Sequence, residues 1–249
     1  MTVYFIGAGP GAADLVTVRA QQIIATSPVC LYAGSLVPQE LLAQCPDGAR
    51  VVDTARLNLD EIVALMLDAD AAGHDVARLH SGDPSIFSAV AEQARRLDAA
   101  GVAYTIVPGV PAFAAAAASL GRELTVPGVS QTIVLTRVST LSTAMPEGED
   151  LRSLGSSGAT MVVHLGAHRI DQIVEELTEN YGPTCPCAVV AFASRSDEIV
   201  LRGTLSTIAS QVKSAGVTKT AVVVVGKVLA AEGFPDSYLY SALRERTTH

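Results

Sequence analysis

Leu79-His80-Ser81-Gly82-Asp83-Pro84-Ser85-Ile86-Phe87 is the stretch whose reading decides the fold. Before it, Asp75-Val76-Ala77-Arg78-Leu79 is short and mostly apolar, as a strand requires. After it, the apolar positions from Ile86 to Leu97 fall at helical spacing. Between them lies a Gly-Asp-Pro corner at the carboxyl end of a strand, which is where open α/β sheets bind small ligands. Gly82 lets a ligand approach the backbone closely. Asp83 can accept hydrogen bonds from a polar or cationic ligand, and Pro84 presets φ for the first turn of a helix. A plain strand-to-helix connection needs the same residues, with Asp83 as the N-cap.

Working outward, Thr2-Val3-Tyr4-Phe5-Ile6 reads as a buried strand running into Gly7-Ala8-Gly9-Pro10-Gly11, with a helix expected over 17–26. This glycine loop fails the dinucleotide fingerprint, because Pro10 and Gly11 break the spacing and no acidic residue ends a second strand about 20 residues on. It is not a phosphate loop of the Gly-Lys-Ser/Thr kind either. Val29-Cys30-Leu31-Tyr32 and Val51-Val52-Asp53 read as further strands. Asn58 or Leu59 opens a helix that ends at Gly73. Tyr104-Thr105-Ile106-Val107 is another strand, followed by Pro108-Gly109-Val110-Pro111 and an alanine-rich helix from Ala112.

Strands and helices alternating to about residue 110 predict a mostly parallel sheet with helices on its faces. The pattern then changes. Gln131–Val138 is a longer strand, and 139–158 reads as a mobile loop with a short helix. Thr160–Leu165 is a buried strand, 170–181 an amphipathic helix, and Cys187–Phe192 a strand. Glu198–Gly203 reads as a hairpin-like return, 205–215 as a helix, and Thr220–Gly226 as the strand closing the sheet. The chain is expected to form two α/β domains, 1–111 and 112–249, with a ligand trough between them.

The 249 residues are 49% hydrophobic and 17% charged, enough for buried cores and too apolar for disorder. A net charge of -8 with no Lys/Arg block argues against nucleic acid as a partner. An anionic small molecule would need a local pocket built from scattered arginines. The four cysteines do not stand at zinc-site spacing, and Cys185-Pro186-Cys187 reads as reduced cysteines or as a structural or redox pair. No metal set is evident. The start lacks a basic n-region and no apolar run approaches membrane-spanning length, so a cytoplasmic protein off the membrane is expected.

Taken in order, five pieces resemble the motifs of the tetrapyrrole methyltransferases that use S-adenosylmethionine. They are Gly7–Gly11, Ser81–Pro84, Val107–Val110, His164-Leu165-Gly166 and Thr220–Gly226. No single piece is specific, but the ordered set spans nearly the whole chain. Tyr32–Pro38 and Leu135–Val138 are similar to the branch that methylates C11 of precorrin-4 in cobalamin synthesis. Many relatives carry Asp where this chain has Ala12, which weakens any catalytic role for an acid there.

The resemblance implies two α/β domains with S-adenosylmethionine folded between them, and a homodimer. It implies that Pro10, Ser81, Gly82, Asp83, Ile86, Pro111, Ala112, Leu165, Phe192, Ala193, Thr220 and Ala221 contact the methyl donor. Tyr32, Ser35 and Arg137 are the candidate substrate contacts. Ser35 also reads as a helix cap, and Tyr32 as packing.

Methyl transfer from a sulfonium needs position and exclusion of water more than a nucleophile or a metal, and effective concentration supplies about 7–11 kcal/mol. The carboxylates of an anionic tetrapyrrole call for arginines. Arg19, Arg56, Arg78, Arg122 and Arg137 are the candidates, each equally a surface residue except Arg137, which ends an apolar strand. Asp83 is the candidate functional carboxylate, either pairing with the donor's amino group or assisting deprotonation. His80 reads as a base or as a satisfied strand-end histidine, and His164 as core. The competing readings are another regiochemistry (C2/C7, C17 or C20) and a non-catalytic binding module.

Overall fold

The computed structural model describes residues 1–139 and 144–237. Part of the expected 139–158 loop, residues 140–143, lies outside the described residues. The chain divides into two compact units: residues 1–115 with 194–196, and the remainder.

In the first unit the elements alternate strictly: β1 (Val3–Gly7), α1 (Val18–Ile24), β2 (Val29–Tyr32), α2 (Gln39–Leu42), β3 (Arg50–Asp53), α3 (Leu59–Ala71), β4 (Val76–His80), α4 (Val90–Ala100) and β5 (Tyr104–Val107). The strands form one sheet in the order β3-β2-β4-β1-β5, with every pairing parallel. All five residues of β4 are buried, as a central parallel strand covered on both faces requires. Alternation along β1 feeds two cores. Val3 and Phe5 join Leu31, Met66 and Leu97 on one face, and Ile6 joins Ile24, Leu41 and Leu79 on the other. The start of α3 is set by a capping box, in which Glu61 N donates to Asn58 Oδ1 (3.0 Å) and Asn58 N to Glu61 Oε2 (2.8 Å).

Helix α5 (Ala112–Leu120) follows. The second unit then holds β6 (Ile133–Arg137), α6 (Leu151–Gly155), β7 (Thr160–His164), α7 (Ile170–Tyr181), β8 (Pro186–Ala191), β9 (Ile199–Thr204), α8 (Leu205–Ser214) and β10 (Ala221–Val225). Its sheet runs β6-β7-β10-β8-β9, parallel only between β6 and β7. The expected hairpin return is the β8–β9 antiparallel pair. One expectation needs correction: β10 does not close the sheet but runs through its middle. Its run Ala221-Val222-Val223-Val224-Val225 is buried throughout, which suits a strand flanked on both edges and covered on both faces. Val223 and Val225 pack with Ile173, Leu177, Leu205 and Ile208.

The stretch Leu79–Phe87 also does not lead straight into a helix, contrary to expectation. The helix expected from Ile86 begins only at Val90, because Phe87 (φ 52) and Ala89 (φ 51) adopt left-handed backbone. Pro84 is therefore not in a helical first turn, and Asp83 is not the N-cap of α4. Ser35 lies in a short 3-10 turn, Gly34–Leu36, and α2 is preceded by Pro38 without any side-chain cap. Among the described residues, no helix is long and apolar enough to cross a membrane.

Candidate functional site

In the first unit the candidate residues gather at the carboxyl ends of the parallel strands, where loops leave β1, β2, β4 and β5. The loops after β1 and β4 are tied together backbone to backbone. Gly82 N donates to Gly9 O at 2.7 Å, Gly9 N to Gly82 O at 3.3 Å, and Ala8 N to His80 O at 2.8 Å. The loop after β5 packs against both. A Cβ on Gly109 would lie 2.3 Å from Gly82 O, and one on Gly7 would lie 2.5 Å from Gly109 Cα. Gly82 is left-handed at φ 71, beside Pro111 and Ala112. Pro10, Ser81, Gly82, Asp83, Pro111 and Ala112 thus form one contiguous backbone surface.

Asp83 holds that surface together. Its Oδ2 accepts Gly109 N at 2.8 Å, and its Oδ1 accepts Ser85 N at 2.8 Å and the Ser85 hydroxyl. Burial raises its pKa, but the hydrogen bonds from Ser85 and Gly109 outweigh that, and the carboxyl is held below its ordinary range. The N-cap expectation gives way to a clamp between the β4 and β5 loops.

In the second unit the candidates line one end of the sheet. Leu165 follows β7, Phe192 follows β8, and Thr220 precedes β10. Phe192 N donates to Thr220 O at 2.9 Å. Antiparallel register sets Ala221 opposite Ala191, and Arg137 lies beside His164 in the β6–β7 pair. Leu165 (φ 54), Phe192 (φ 53) and Thr220 (φ 53) are all left-handed, at a cost of about 1–2 kcal/mol each for an L-residue. Leu165 is also 57% exposed. Strained non-glycine backbone concentrates where a binding surface is shaped.

A model described as Tetrapyrrole (Corrin/Porphyrin) Methylases matches residues 2–209. The chain belongs to this family. It is 87% identical to the precorrin-4 C(11)-methyltransferase of Rhodococcus erythropolis over 249 residues, all of both chains. Among solved structures it is similar to the cobalamin biosynthetic enzyme cobalt precorrin-4 methyltransferase, CbiF. That match has a TM-score of 0.89 and 37% identity and covers 92% of this chain and 95% of the other. It is also similar to a uroporphyrin-III C-methyltransferase from Thermus thermophilus complexed with S-adenyl homocysteine, with a TM-score of 0.79 and 29% identity, over 92% and 99% of the chains.

The methylase does not bring all five candidate arginines to these strand ends. Arg78 points into the first core at 5% exposure, where Nη1 donates to Thr54 Oγ1 (2.8 Å) and Nε to Gln93 Oε1 (3.2 Å). Burial lowers its pKa to about 10. Thr54 Oγ1 in turn donates to Tyr32 O at 2.9 Å, so Arg78 braces the Tyr32 strand end from beneath. Arg19 is exposed, and Arg56 is exposed in the loop that leaves the carboxyl end of β3. Arg122 lies at the other end of the second sheet. Arg137 stands in the second unit's row of strand ends, with Nη1 donating to Val138 O at 3.2 Å.

His80 is not the satisfied histidine of one sequence reading. Its Nε2 is buried without a hydrogen-bond partner among the described residues, and burial, with the Arg78 charge, pushes its pKa down to about 3. The ring stays neutral at physiological pH. Burial likewise pushes His164 down to about 4. All four cysteines are free. Sequence reading missed the Gly109 amide as Asp83's partner and Ser194, whose Oγ accepts Ala12 N at 3.0 Å. Nothing local in the sequence marks either pairing, since the partners are 26 and 182 residues apart.

Proposed function

We propose that this methylase transfers a methyl group from S-adenosylmethionine to C11 of precorrin-4, giving precorrin-5 in cobalamin biosynthesis. Full-length 87% identity to the Rhodococcus precorrin-4 C(11)-methyltransferase carries the reading. The anionic macrocycle is the substrate, and the enzyme works in the cytoplasm as a homodimer.

S-adenosylmethionine supplies a methyl group already activated by its sulfonium charge. Chain groups therefore bind, orient and exclude water rather than attack. The chain suits such a ligand: glycines 7 and 109 leave room for backbone only, and Gly82, left-handed at φ 71, lets a ligand reach main-chain groups. Ser81, Gly82, Ile86, Pro10, Pro111 and Ala112 of the first unit take the methionyl side, with Asp83 holding their loops in place. Leu165, Phe192, Ala193, Thr220 and Ala221 of the second unit take the adenosine side through backbone groups presented by the left-handed residues. Tyr32, Ser35 and Arg137 take the tetrapyrrole, Arg137 as the cation for a ring carboxylate.

Calorimetric titration with S-adenosylhomocysteine, with NAD as control, tests the donor. Micromolar binding of the first and none of the second is expected. NMR of the product from precorrin-4 tests the position, and a new methyl on any carbon other than C11 would overturn the regiochemistry.

A further inference from the structure

Arg122 and Arg202 stand apart from the methyl-transfer residues and share a cavity of about 460 Å³. It opens between the end of α5, the first residues of β8, the last of β9 and the segment after β10. Strand β8 runs from Pro186 at this cavity to Ala191 next to Phe192, five residue steps or about 17 Å. The cavity and the row of left-handed strand ends thus occupy opposite ends of one sheet. Leu120, Pro186, Ala188 and Leu229 make apolar walls, and the two arginines are the charged side chains in the lining. The volume falls in the range of small-molecule sites, about 300–1,000 Å³.

Neither guanidinium makes an ion pair among the described residues. Arg122 Nη1 donates to Ala231 O at 3.2 Å, and Arg202 Nη2 to Ser119 O (3.4 Å) and Leu120 O (3.2 Å). These main-chain bonds hold both side chains in place but bring no counter-charge. Nε and Nη2 of Arg122, and Nε and Nη1 of Arg202, have no protein acceptor among the described residues. Capping the α5 C-terminus accounts for Arg202. It does not account for Arg122, whose bond goes to a different segment, nor for two like charges on one partly apolar cavity. An oxyanion in the cavity gives each guanidinium the charge-assisted contact it lacks.

We propose that this cavity binds a small organic oxyanion, a carboxylate or phosphate carried on an apolar body, at a site separate from methyl transfer. Both arginines hold the anion and the Leu120–Leu229 walls hold the body.

Phenyl phosphate and phenylacetate serve as probes, titrated calorimetrically into the full chain saturated with S-adenosylhomocysteine. At least one is expected to bind with a Kd of about 0.1–1 mM, and the tighter of the two identifies the anion. Arg122→Gln is expected to weaken binding about tenfold and the Arg122→Gln/Arg202→Gln pair to abolish it, while Arg137→Gln leaves it intact. Arg202 also holds the end of α5, so Arg122→Gln, checked by circular dichroism, carries the test if the Arg202 variant unfolds. The proposal is overturned if neither probe binds at about 10 mM, if Arg122→Gln binds as well as wild type, or if Arg137→Gln abolishes binding. It is equally overturned if Arg122→Gln changes the sedimentation mass, which would make the cavity a subunit contact.

Discussion

Asp83 accepts hydrogen bonds on both carboxylate oxygens from within the protein, and so holds two loops in register. Asp83→Ala leaves the partly buried Gly109 N–H without its acceptor, a loss of about 1–3 kcal/mol. Affinity for S-adenosylhomocysteine should fall more than about tenfold, with a lower Tm. Unchanged affinity in a folded variant would show that the clamp does not shape the site. His80 makes a different prediction. Its folded pKa, about 3, lies below the ordinary 6.5. Between those values the unfolded chain binds a proton that the folded chain excludes, so stability falls as pH drops from about 6.5 toward 3. His164 acts in the same direction. His80→Phe should flatten the decline in Tm between about pH 6.5 and 4. Equal slopes in both proteins would remove neutral burial of His80 as a source of acid sensitivity.

At the scale of elements, the three glycines 7, 82 and 109 and the three left-handed residues 165, 192 and 220 make opposite predictions. Gly109→Ala forces a Cβ to within 2.3 Å of the Gly82 carbonyl, and backbone cannot yield as a flexible side chain can. It should cost more than about 3 kcal/mol in urea unfolding. Gly73→Ala, at φ 72 with open space around it, should cost only about 1–2 kcal/mol from its backbone. If the two cost the same, close loop packing is not what Gly109 serves. Leu165→Gly relieves left-handed strain at an exposed position, so Tm should hold or rise while S-adenosylhomocysteine binding weakens. A marked fall in Tm would make Leu165 a packing residue instead. These positions were half legible. The glycines stand out because only they fit such turns, but Leu165, Phe192 and Thr220 look ordinary in sequence, since their dihedrals are imposed by the strands they join.

For the whole molecule, a net charge of -8 means that an anionic macrocycle is held by local cations rather than by the overall field. Of the five candidate arginines, Arg137 and the exposed Arg56 sit at strand ends. Arg137→Ala should raise KM for precorrin-4 while leaving S-adenosylhomocysteine affinity near wild type, and an equal loss of both would assign Arg137 to the scaffold. Sedimentation should give twice the chain mass for the proposed homodimer, and a monomer would refute it.

The sequence by itself determined the strands and helices, the parallel first sheet and the family. Each follows from local periodicity, glycine placement and an ordered set of short motifs. Tertiary structure alone decided the central place of β10, the delayed start of α4, the partners of Asp83 and the separation of Arg122 from Arg137. The physical reason is the same in each case. Strand order, left-handed backbone and long-range hydrogen bonds are settled by which segments pack together, and residues 26 or 182 positions apart carry no local mark of their pairing.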